Sequence, residues 1–100
     1  MRRRLIVRAE AEADILEAAQ WYEERTTGLG WELTCEICSA IQRAVDRPLS
    51  QFRLRVSPDV RRILARRFPY RIFYIVRTDA VVVFAVIHAA RSDRAWTQRL

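Results

Sequence analysis

Cys35 and Cys38 form a CxxC motif, a spacing that suits zinc binding or redox chemistry. A structural zinc site needs four ligands, and within this chain only His88, the single histidine, could join the two thiols. The motif lies in a region of helical periodicity, without the strand and helix start that frame a thioredoxin-type site. We therefore predict free, mostly buried thiols, with no metal and no cofactor. Metal or disulfide bonding between subunits is the alternative.

His88 and Arg91 form a second pair of side chains that could do chemistry, at the end of the apolar run from 80 to 87. An imidazole can transfer a proton and a guanidinium can hold an anionic group. A lone histidine at the end of an apolar strand is, however, more often a polar residue that hydrogen-bonds to the following segment. The sequence leaves both interpretations open.

All 18 basic residues are arginine, so every cation is a planar fork suited to carboxylate and phosphate. Residues 1–8 carry +4, residues 9–46 carry −7 and residues 47–100 carry +9, within a net charge of +6. The chain is thus acidic in the middle and basic at both ends. A basic field of this kind attracts a polyanion, either nucleic acid or an acidic protein segment.

Length and composition indicate one folded domain, residues 1–100. Apolar residues make up 51% of the chain, and glycine and proline are scarce. The longest apolar run is far shorter than the ~20 residues of a membrane span. The basic N-terminus lacks the apolar stretch and cleavage site of a signal peptide. We expect a cytoplasmic protein that does not associate with membranes.

Two amphipathic helices are predicted, over residues 10–26 and 29–46, with Gly28 ending the first. The link between them is short, so they should form an antiparallel hairpin. Tyr22 continues the apolar stripe of the first helix, while its neighbour Trp21 is expected at the flank of the hairpin or in an interface. The outer face of the first helix is acidic and is expected to be solvated: Glu10, Asp14, Glu17 and Glu24.

Alternating apolar residues predict strands at 4–8, 60–67, 70–77 and 81–88, with a connection at 49–59. Short links between the last three strands favour antiparallel neighbours. The predicted fold class is therefore α+β, in the order β-α-α-β-β-β. A helical hairpin should pack on one face of a small, mostly antiparallel sheet.

The strand at 70–77 has apolar residues on both faces, so it is expected in the interior of the sheet. One face carries Tyr70, Ile72, Tyr74 and Val76, and the other carries Arg71, Phe73, Ile75 and Arg77. The polar and basic tail that follows the last strand has Trp96 as its one large residue. We expect this ring to anchor the tail by packing rather than to stack on bases.

Four short motifs occur in order along the chain: Trp21-Tyr22-Glu23, Gly28-Leu29-Gly30, Phe68-Pro69-Tyr70 and His88-x-x-Arg91. Together with the order of the elements, this set resembles the RelE/ParE superfamily of toxins from type II toxin–antitoxin (plasmid stabilisation) systems. The resemblance extends over about residues 5–96 and is closer to the ParE side. The ordered set is much more specific than any one of its motifs.

The resemblance implies a small cytoplasmic toxin that blocks growth unless a co-expressed antitoxin occupies it. ParE-like members poison DNA gyrase, and the resemblance favours this non-enzymatic inhibition for the present chain. RelE-like members are ribosome-dependent endonucleases that cleave messenger RNA, which is the alternative; a non-toxic, basic nucleic-acid-binding module is the second alternative. If the chain cleaves RNA, the expected catalytic residues are His88 and Arg91, with Arg71 and Tyr74 in support.

The resemblance also implies a surface that binds the target or the antitoxin. Its expected residues lie on the last strands and the tail: Arg61, Arg62, Arg71, Arg77, Arg91, Arg94 and Trp96. The antitoxin should lay an amphipathic helix, with or without a strand, against exposed sheet and helix surfaces. Because residues 47–100 carry +9, its C-terminal segment should be acidic. The expected partners are this antitoxin, in a hetero-oligomer, and DNA gyrase or the ribosome with its messenger RNA.

Overall fold

The computed structural model describes residues 2–54 and 59–100, which form a two-helix hairpin on a five-stranded sheet. The strands are β1 (Arg4–Val7), β2 (Phe52–Arg53), β3 (Val60–Leu64), β4 (Tyr70–Val76) and β5 (Ala80–His88). Their order across the sheet is β1-β5-β4-β3-β2. The pairing of β1 with β5 is parallel, and the other pairings are antiparallel. The prediction of an α+β fold with a mostly antiparallel sheet is confirmed.

The helical hairpin consists of α1 (Ala9–Arg25) and α2 (Leu29–Asp46). Gly28 stands between them with a φ of 89°, a backbone conformation that L side chains rarely adopt. Glu23 reaches from the end of α1 to the start of α2, where its carboxylate accepts hydrogen bonds from the backbone N–H groups of Gly28 and Gly30 at 2.9 and 3.0 Å. The carboxylate thereby satisfies N–H groups that a helix start leaves unpaired, and it complements the helix dipole.

Gly30 lets the two helices approach each other closely. A Cβ atom at this position would lie 2.5 Å from the backbone oxygen of Ala19 and 3.1 Å from the Glu23 side chain. Because a backbone oxygen in a helix cannot turn aside as a side chain can, a larger residue must push the helices apart. The WYE and GLG motifs thus have a structural explanation, since Glu23, Gly28 and Gly30 together build the turn of the hairpin.

The sheet has a core on each face. On the side that we call the helix face, Leu33 and Ile37 of α2 pack in one buried cluster with side chains of the sheet. On the opposite side, the tail face, Trp96 of the short helix α3 (Arg94–Thr97) stacks on the Phe73 ring at 4.7 Å between centroids. The Trp96 side chain is 3% exposed, so its predicted role as the packing anchor of the tail is confirmed.

Several element boundaries differ from the prediction. The connection predicted at 49–59 contains β2 and part of a 3₁₀ turn, Pro48–Ser50, and its residues 55–58 lie outside the described part of the chain. The strand predicted at 60–67 ends at Leu64, and α3 is absent from the predicted order of elements. No helix within the described residues is both long and apolar enough to cross a membrane.

Cys35 and Cys38 are free and exposed, so the prediction of mostly buried thiols is wrong. The buried stripe of α2 runs through Leu33, Ile37 and Ala40, and the two cysteines lie to the side of it on the outward surface of the helix. Their positions therefore follow the helical period rather than the general preference of thiols for the interior.

Replacement of Gly30 by alanine should destabilise the protein by up to about 2 kcal/mol. The strain of an added methyl group in a tightly packed site, about 1–3 kcal/mol, should exceed the better helix propensity of alanine, about 1 kcal/mol. Urea denaturation followed by circular dichroism measures this change. Ser39→Ala, at an exposed position of α2, is the control and should shift the free energy of unfolding by less than about 0.5 kcal/mol. A Gly30→Ala variant as stable as this control would contradict the close contact of the helices.

Candidate functional site

A β-bulge in β5 determines which face of the sheet its last residues occupy. Phe73 of β4 pairs with Ala85, whereas Tyr74, the next residue, pairs with Val83, so that Phe84 is an extra residue in β5. Phe84 and Ala85 both belong to the tail-face core. A bulge of this kind reverses the alternation of the side chains that follow it. The end of β5 therefore presents its side chains on the faces opposite to those that strict alternation predicts.

His88 lies on the helix face because of this bulge. Its ring meets the edge of the Tyr70 ring at 5.3 Å between centroids, and Val86, two residues earlier, packs in the helix-face core. Val81 lies in the same core, and strict alternation from it would place positions 86 and 88 on the tail face. The bulge thus brings His88 to the side of the sheet that α1 covers.

His88 lines a groove between α1 and the end of the sheet where β4 begins and β5 ends. The groove has a volume of about 530 Å³, and Arg91 lines it as well, so the structure brings this predicted pair together. The α1 wall carries three carboxylates and the half-exposed ring of Trp21: Asp14, Glu17, Glu24 and Trp21. Asp14 is paired with Arg99, so Glu17 and Glu24 make the wall opposite His88 and Arg91 acidic, which disfavours the entry of phosphate groups.

Asp14 and Arg99 satisfy the backbone of β5 beyond the end of β1. Within the described residues, β1 pairs with β5 only as far as Val83. The Asp14 carboxylate accepts a hydrogen bond from the backbone N–H of Val86 at 2.9 Å, and Arg99 donates to the backbone oxygen of Phe84 at 3.1 Å. The two side chains also pair with each other at 2.6 and 2.9 Å, and this hydrogen bonding raises the pKa of Arg99.

The prediction that Asp14 lies on the solvated face of α1 is wrong, because its side chain is 12% exposed and contacts the sheet edge. Arg99 is absent from the predicted site because its local sequence does not distinguish it from other arginines of the tail. Asp14 and Arg99 bond the Val86 N–H and the Phe84 oxygen of β5, which lie close to the bulge. These groups have no partner in β1, because β1 ends before it reaches them. That geometry has no local signature in the sequence.

The His88 ring holds the segment that follows β5. Its Nδ1 atom accepts a hydrogen bond from the backbone N–H of Ala90 at 3.0 Å. In a neutral imidazole, an accepting Nδ1 leaves the proton on Nε2, so that neither nitrogen keeps a free lone pair. His88 in this state cannot accept the proton of a ribose hydroxyl. This hydrogen bond is the contact expected if His88 is a strand-terminal residue bonded to the tail, and the catalytic role stays a prediction.

Arg71 lies on the tail face and fixes the start of the tail. Its guanidinium donates to the Asp93 carboxylate at 2.8 Å and to the backbone oxygen of Arg91 at 2.7 Å, and its side chain is 11% exposed. Asp93 also accepts a hydrogen bond from Nε1 of Trp96 at 3.2 Å. Hydrogen bonds from Arg71 and then from Trp96 lower the pKa of Asp93. Arg71 thus holds the tail and lies across the sheet from His88.

Tyr74 is fully buried, and its hydroxyl donates to the backbone oxygen of Pro48 at 2.8 Å. Burial raises the pKa of Tyr74 well above the value of a free tyrosine. The burial of this hydroxyl and its bond to Pro48 disfavour the supporting catalytic role predicted for Tyr74, which stays a prediction. Of the predicted catalytic residues, the structure brings the side chains of His88 and Arg91 together in the groove. Arg71 reaches Arg91 only at its backbone oxygen, from the tail face, and Tyr74 is buried.

The remaining arginines of the predicted binding surface differ in accessibility. Arg61 has a side chain that is 12% exposed, and it donates to the backbone oxygen of Leu49 and to the carboxylate of Asp59, so it holds the connection before β3. Arg62 lies on the tail face, over the Phe52 ring at 4.5 Å. The other side chains of this set are exposed: Arg77, Arg91 and Arg94.

Two exposed apolar side chains on the tail face were not among the predicted binding residues. Phe52 and Leu64 are 61% and 54% exposed. The strand register places Phe52 opposite Arg62 and Leu64 opposite Arg71. These four residues form a surface that we call the arginine–apolar strip. Trp96, a predicted binding residue, is buried and does not contribute to this surface.

The sequence matches the family model described as ParE toxin of type II toxin-antitoxin system, parDE, over residues 5–93. Among solved structures, the fold is similar to a chain of the chromosomal ParDE system from P. aeruginosa, with a TM-score of 0.73 and 15% identity, covering 86% of this chain and 95% of that chain. It is also similar to the isolated E. coli RelE toxin, with a TM-score of 0.63 and 22% identity, covering 98% and 99%. No curated protein matches the sequence. The resemblance to the RelE/ParE superfamily, on its ParE side, is confirmed.

Protonation of Asp93 should loosen the tail. Because its pKa in the folded chain is lower than the ordinary value of 3.8, ionised Asp93 stabilises the folded state above that pH. This stabilisation is lost as the pH falls through the lowered pKa. Wild type should therefore be more stable than Asp93→Asn at pH 7, and the difference should shrink as the pH falls below 3.8.

Urea denaturation at a series of pH values measures this difference. Asp79→Asn, at an exposed position in the turn before β5, is the control, and its difference from wild type should show no such trend. Suppose that the difference in unfolding free energy between wild type and Asp93→Asn is the same at pH 7 and below pH 3.8. That result would contradict the role of the Asp93 carboxylate in holding the tail.

Proposed function

Because the chain belongs to the family of ParE toxins of type II toxin–antitoxin systems, we propose that it arrests growth in the cytoplasm by binding DNA gyrase, and that a cognate antitoxin blocks this binding. The observation that carries the choice of activity is the hydrogen bond from the Ala90 N–H to Nδ1 of His88. It occupies the lone pair that a general base would need. The toxin is thus proposed to inhibit by binding, without a chemical step.

RNA cleavage would need a base, cations at the scissile phosphate and an acid for the leaving oxygen. Neutral His88 has no free lone pair, and Tyr74 is buried. Glu17 and Glu24 face the same groove as Arg91, and their charges would repel an RNA backbone. Cleavage of messenger RNA at the ribosome is therefore the less favoured activity. The likeness to the E. coli RelE toxin is one of fold.

We assign target binding to the arginine–apolar strip. Arginine and aromatic side chains contribute most of the binding energy in protein interfaces when they are shielded from water. Phe52 and Leu64 expose apolar surface there, and the guanidinium carbon of Arg62 lies 4.5 Å from the centroid of the Phe52 ring. Arg71 links the strip to the tail through the backbone oxygen of Arg91. The strip therefore offers apolar contacts beside cations, which suits a protein surface better than a bare phosphate chain.

The antitoxin is proposed to cover the same strip with an acidic C-terminal segment. Residues 47–100 carry +9, which favours an acidic partner, and β2 lies at the edge of the sheet, where an added strand could pair with it. An amphipathic helix of the antitoxin would find an apolar contact at Trp21, which is 49% exposed beside the groove. Competition for one surface would explain neutralisation without any change in the conformation of the toxin.

Purified protein should inhibit the supercoiling activity of DNA gyrase. The Phe52→Ala, Arg62→Glu double variant should need about tenfold or more protein for the same inhibition, because it removes an aromatic contact and reverses a charge in the strip. Arg4→Glu makes a similar charge reversal in β1, at the opposite edge of the sheet, and should leave inhibition unchanged. Gyrase that is unaffected at saturating protein would reject the proposed target, and equal losses in both variants would reject the strip.

His88→Ala separates gyrase inhibition from RNA cleavage. The variant should retain inhibition and growth arrest, provided that circular dichroism shows an intact fold, because His88 serves the tail rather than a reaction. Mapping of messenger RNA ends after induced expression should reveal no toxin-dependent breaks. Breaks that disappear in His88→Ala would favour the nuclease, and normal growth without any antitoxin would favour a non-toxic nucleic-acid-binding module.

A further inference from the structure

Cys35 and Cys38 place two thiols on one outward patch of α2. They are three residues apart, which is close to one turn of an α-helix, and both are free and exposed. Neither residue takes part in the groove or in the arginine–apolar strip. The pair is thus a chemically reactive feature that the proposed gyrase binding does not use.

The helical spacing suits a bridging metal ion better than a disulfide. Residues three apart on a helix have Cβ atoms about 5–6 Å from each other, whereas a disulfide requires about 3.5–4.5 Å. A disulfide between Cys35 and Cys38 would therefore distort α2 in its middle. A thiophilic ion with metal–sulfur bonds of about 2.3 Å can join two thiolates on adjacent turns without such a distortion.

One chain supplies only half of a structural zinc site. Such a site has four ligands in a tetrahedron, and within residues 2–54 and 59–100 no group of three or more potential ligands could hold a metal. His88, the residue that the sequence offered as a third ligand, lies in the groove at the end of the sheet. The missing ligands must therefore come from outside the chain.

We propose that two copies of the chain join through α2 and complete a zinc site with four thiolates, Cys35 and Cys38 from each copy. Trp31 lies one turn before Cys35 on the same outward side of α2 and is 72% exposed, so this contact would shield its ring from water. Residues 9–46 carry −7, and two such hairpins repel each other. This repulsion would oppose a dimer held by apolar contact alone, so formation of the dimer depends on the zinc ion.

Assembly releases one proton from each thiol to the solvent, since zinc binds thiolates rather than thiols. No oxidant is needed, so the site should form in a reducing buffer. The gyrase-binding surface lies on the sheet, away from α2, and this proposal therefore stands or falls independently of the proposed target.

Sedimentation analysis with Zn²⁺ and a non-thiol reductant tests the assembly. Addition of one Zn²⁺ per two chains should double the mass of the particle, and EDTA should reverse the change. Cys35→Ser and Cys38→Ser should each remain monomeric, whereas Ser39→Ala, on the same helix, should dimerise as wild type does. A wild type that stays monomeric with Zn²⁺, or serine variants that dimerise equally well, would overturn the proposal.

Co²⁺ as a spectroscopic probe reports the ligands directly. Wild type should develop thiolate charge-transfer bands and the visible bands of a tetrahedral ion, which saturate at one Co²⁺ per two chains. Both thiols should also react with a disulfide reagent in the metal-free protein and become protected when Zn²⁺ is added. Saturation at one ion per chain, or thiols that stay equally reactive with Zn²⁺ present, would contradict the shared site.

Discussion

One extra residue in β5 shifts its register against β4, and this shift decides on which face the end of the strand presents its side chains. The bulge lies next to the end of β1, where the backbone of β5 loses its parallel neighbour. Asp14 from α1 and Arg99 from the tail take over the open hydrogen bonds. The same few residues therefore tie the first helix, the last strand and the C-terminal segment together, and they define the groove in which His88 lies.

The two faces of the sheet are suited to different partners. The groove on the helix face has an acidic wall, and its imidazole is committed to holding the tail. The tail face carries exposed apolar side chains beside arginines, one of which braces the tail through Asp93. A protein surface with acidic and apolar groups fits the tail face, and the acidic wall disfavours a substrate phosphate in the groove. This difference between the two faces supports the proposal that the toxin acts by binding a protein target, without a chemical step.

Much of this architecture follows from periodicity. The apolar stripes of the helices predicted α1 and α2 to within a residue, and alternation predicted the three long antiparallel strands. The bulge could not be predicted, because positions 80–87 are all apolar and no polar residue reveals where the alternation changes phase. The two-residue strand β2 is too short for any pattern.

The fate of individual site residues depended on tertiary contacts. The same helical period that predicted α2 places Cys35 and Cys38 outside its buried stripe, but the usual burial of thiols argued for the opposite. Tyr74 and Arg61 have polar groups that could bind a ligand. Each instead donates a hydrogen bond to a backbone oxygen of the segment after α2. Such partners lie far away in sequence, so residue type alone could not reveal them.

The tautomer of His88 distinguishes a structural imidazole from a general base, and ¹⁵N spectroscopy of the ring measures it. His88 is the single histidine, so its two ring nitrogens give the only imidazole signals in a ¹⁵N spectrum. At a pH where the ring is neutral, we expect a protonated Nε2 and an Nδ1 that accepts a hydrogen bond from the amide of Ala90. A protonated Nδ1 with a free lone pair on Nε2 would contradict this expectation, because that tautomer could act as a base.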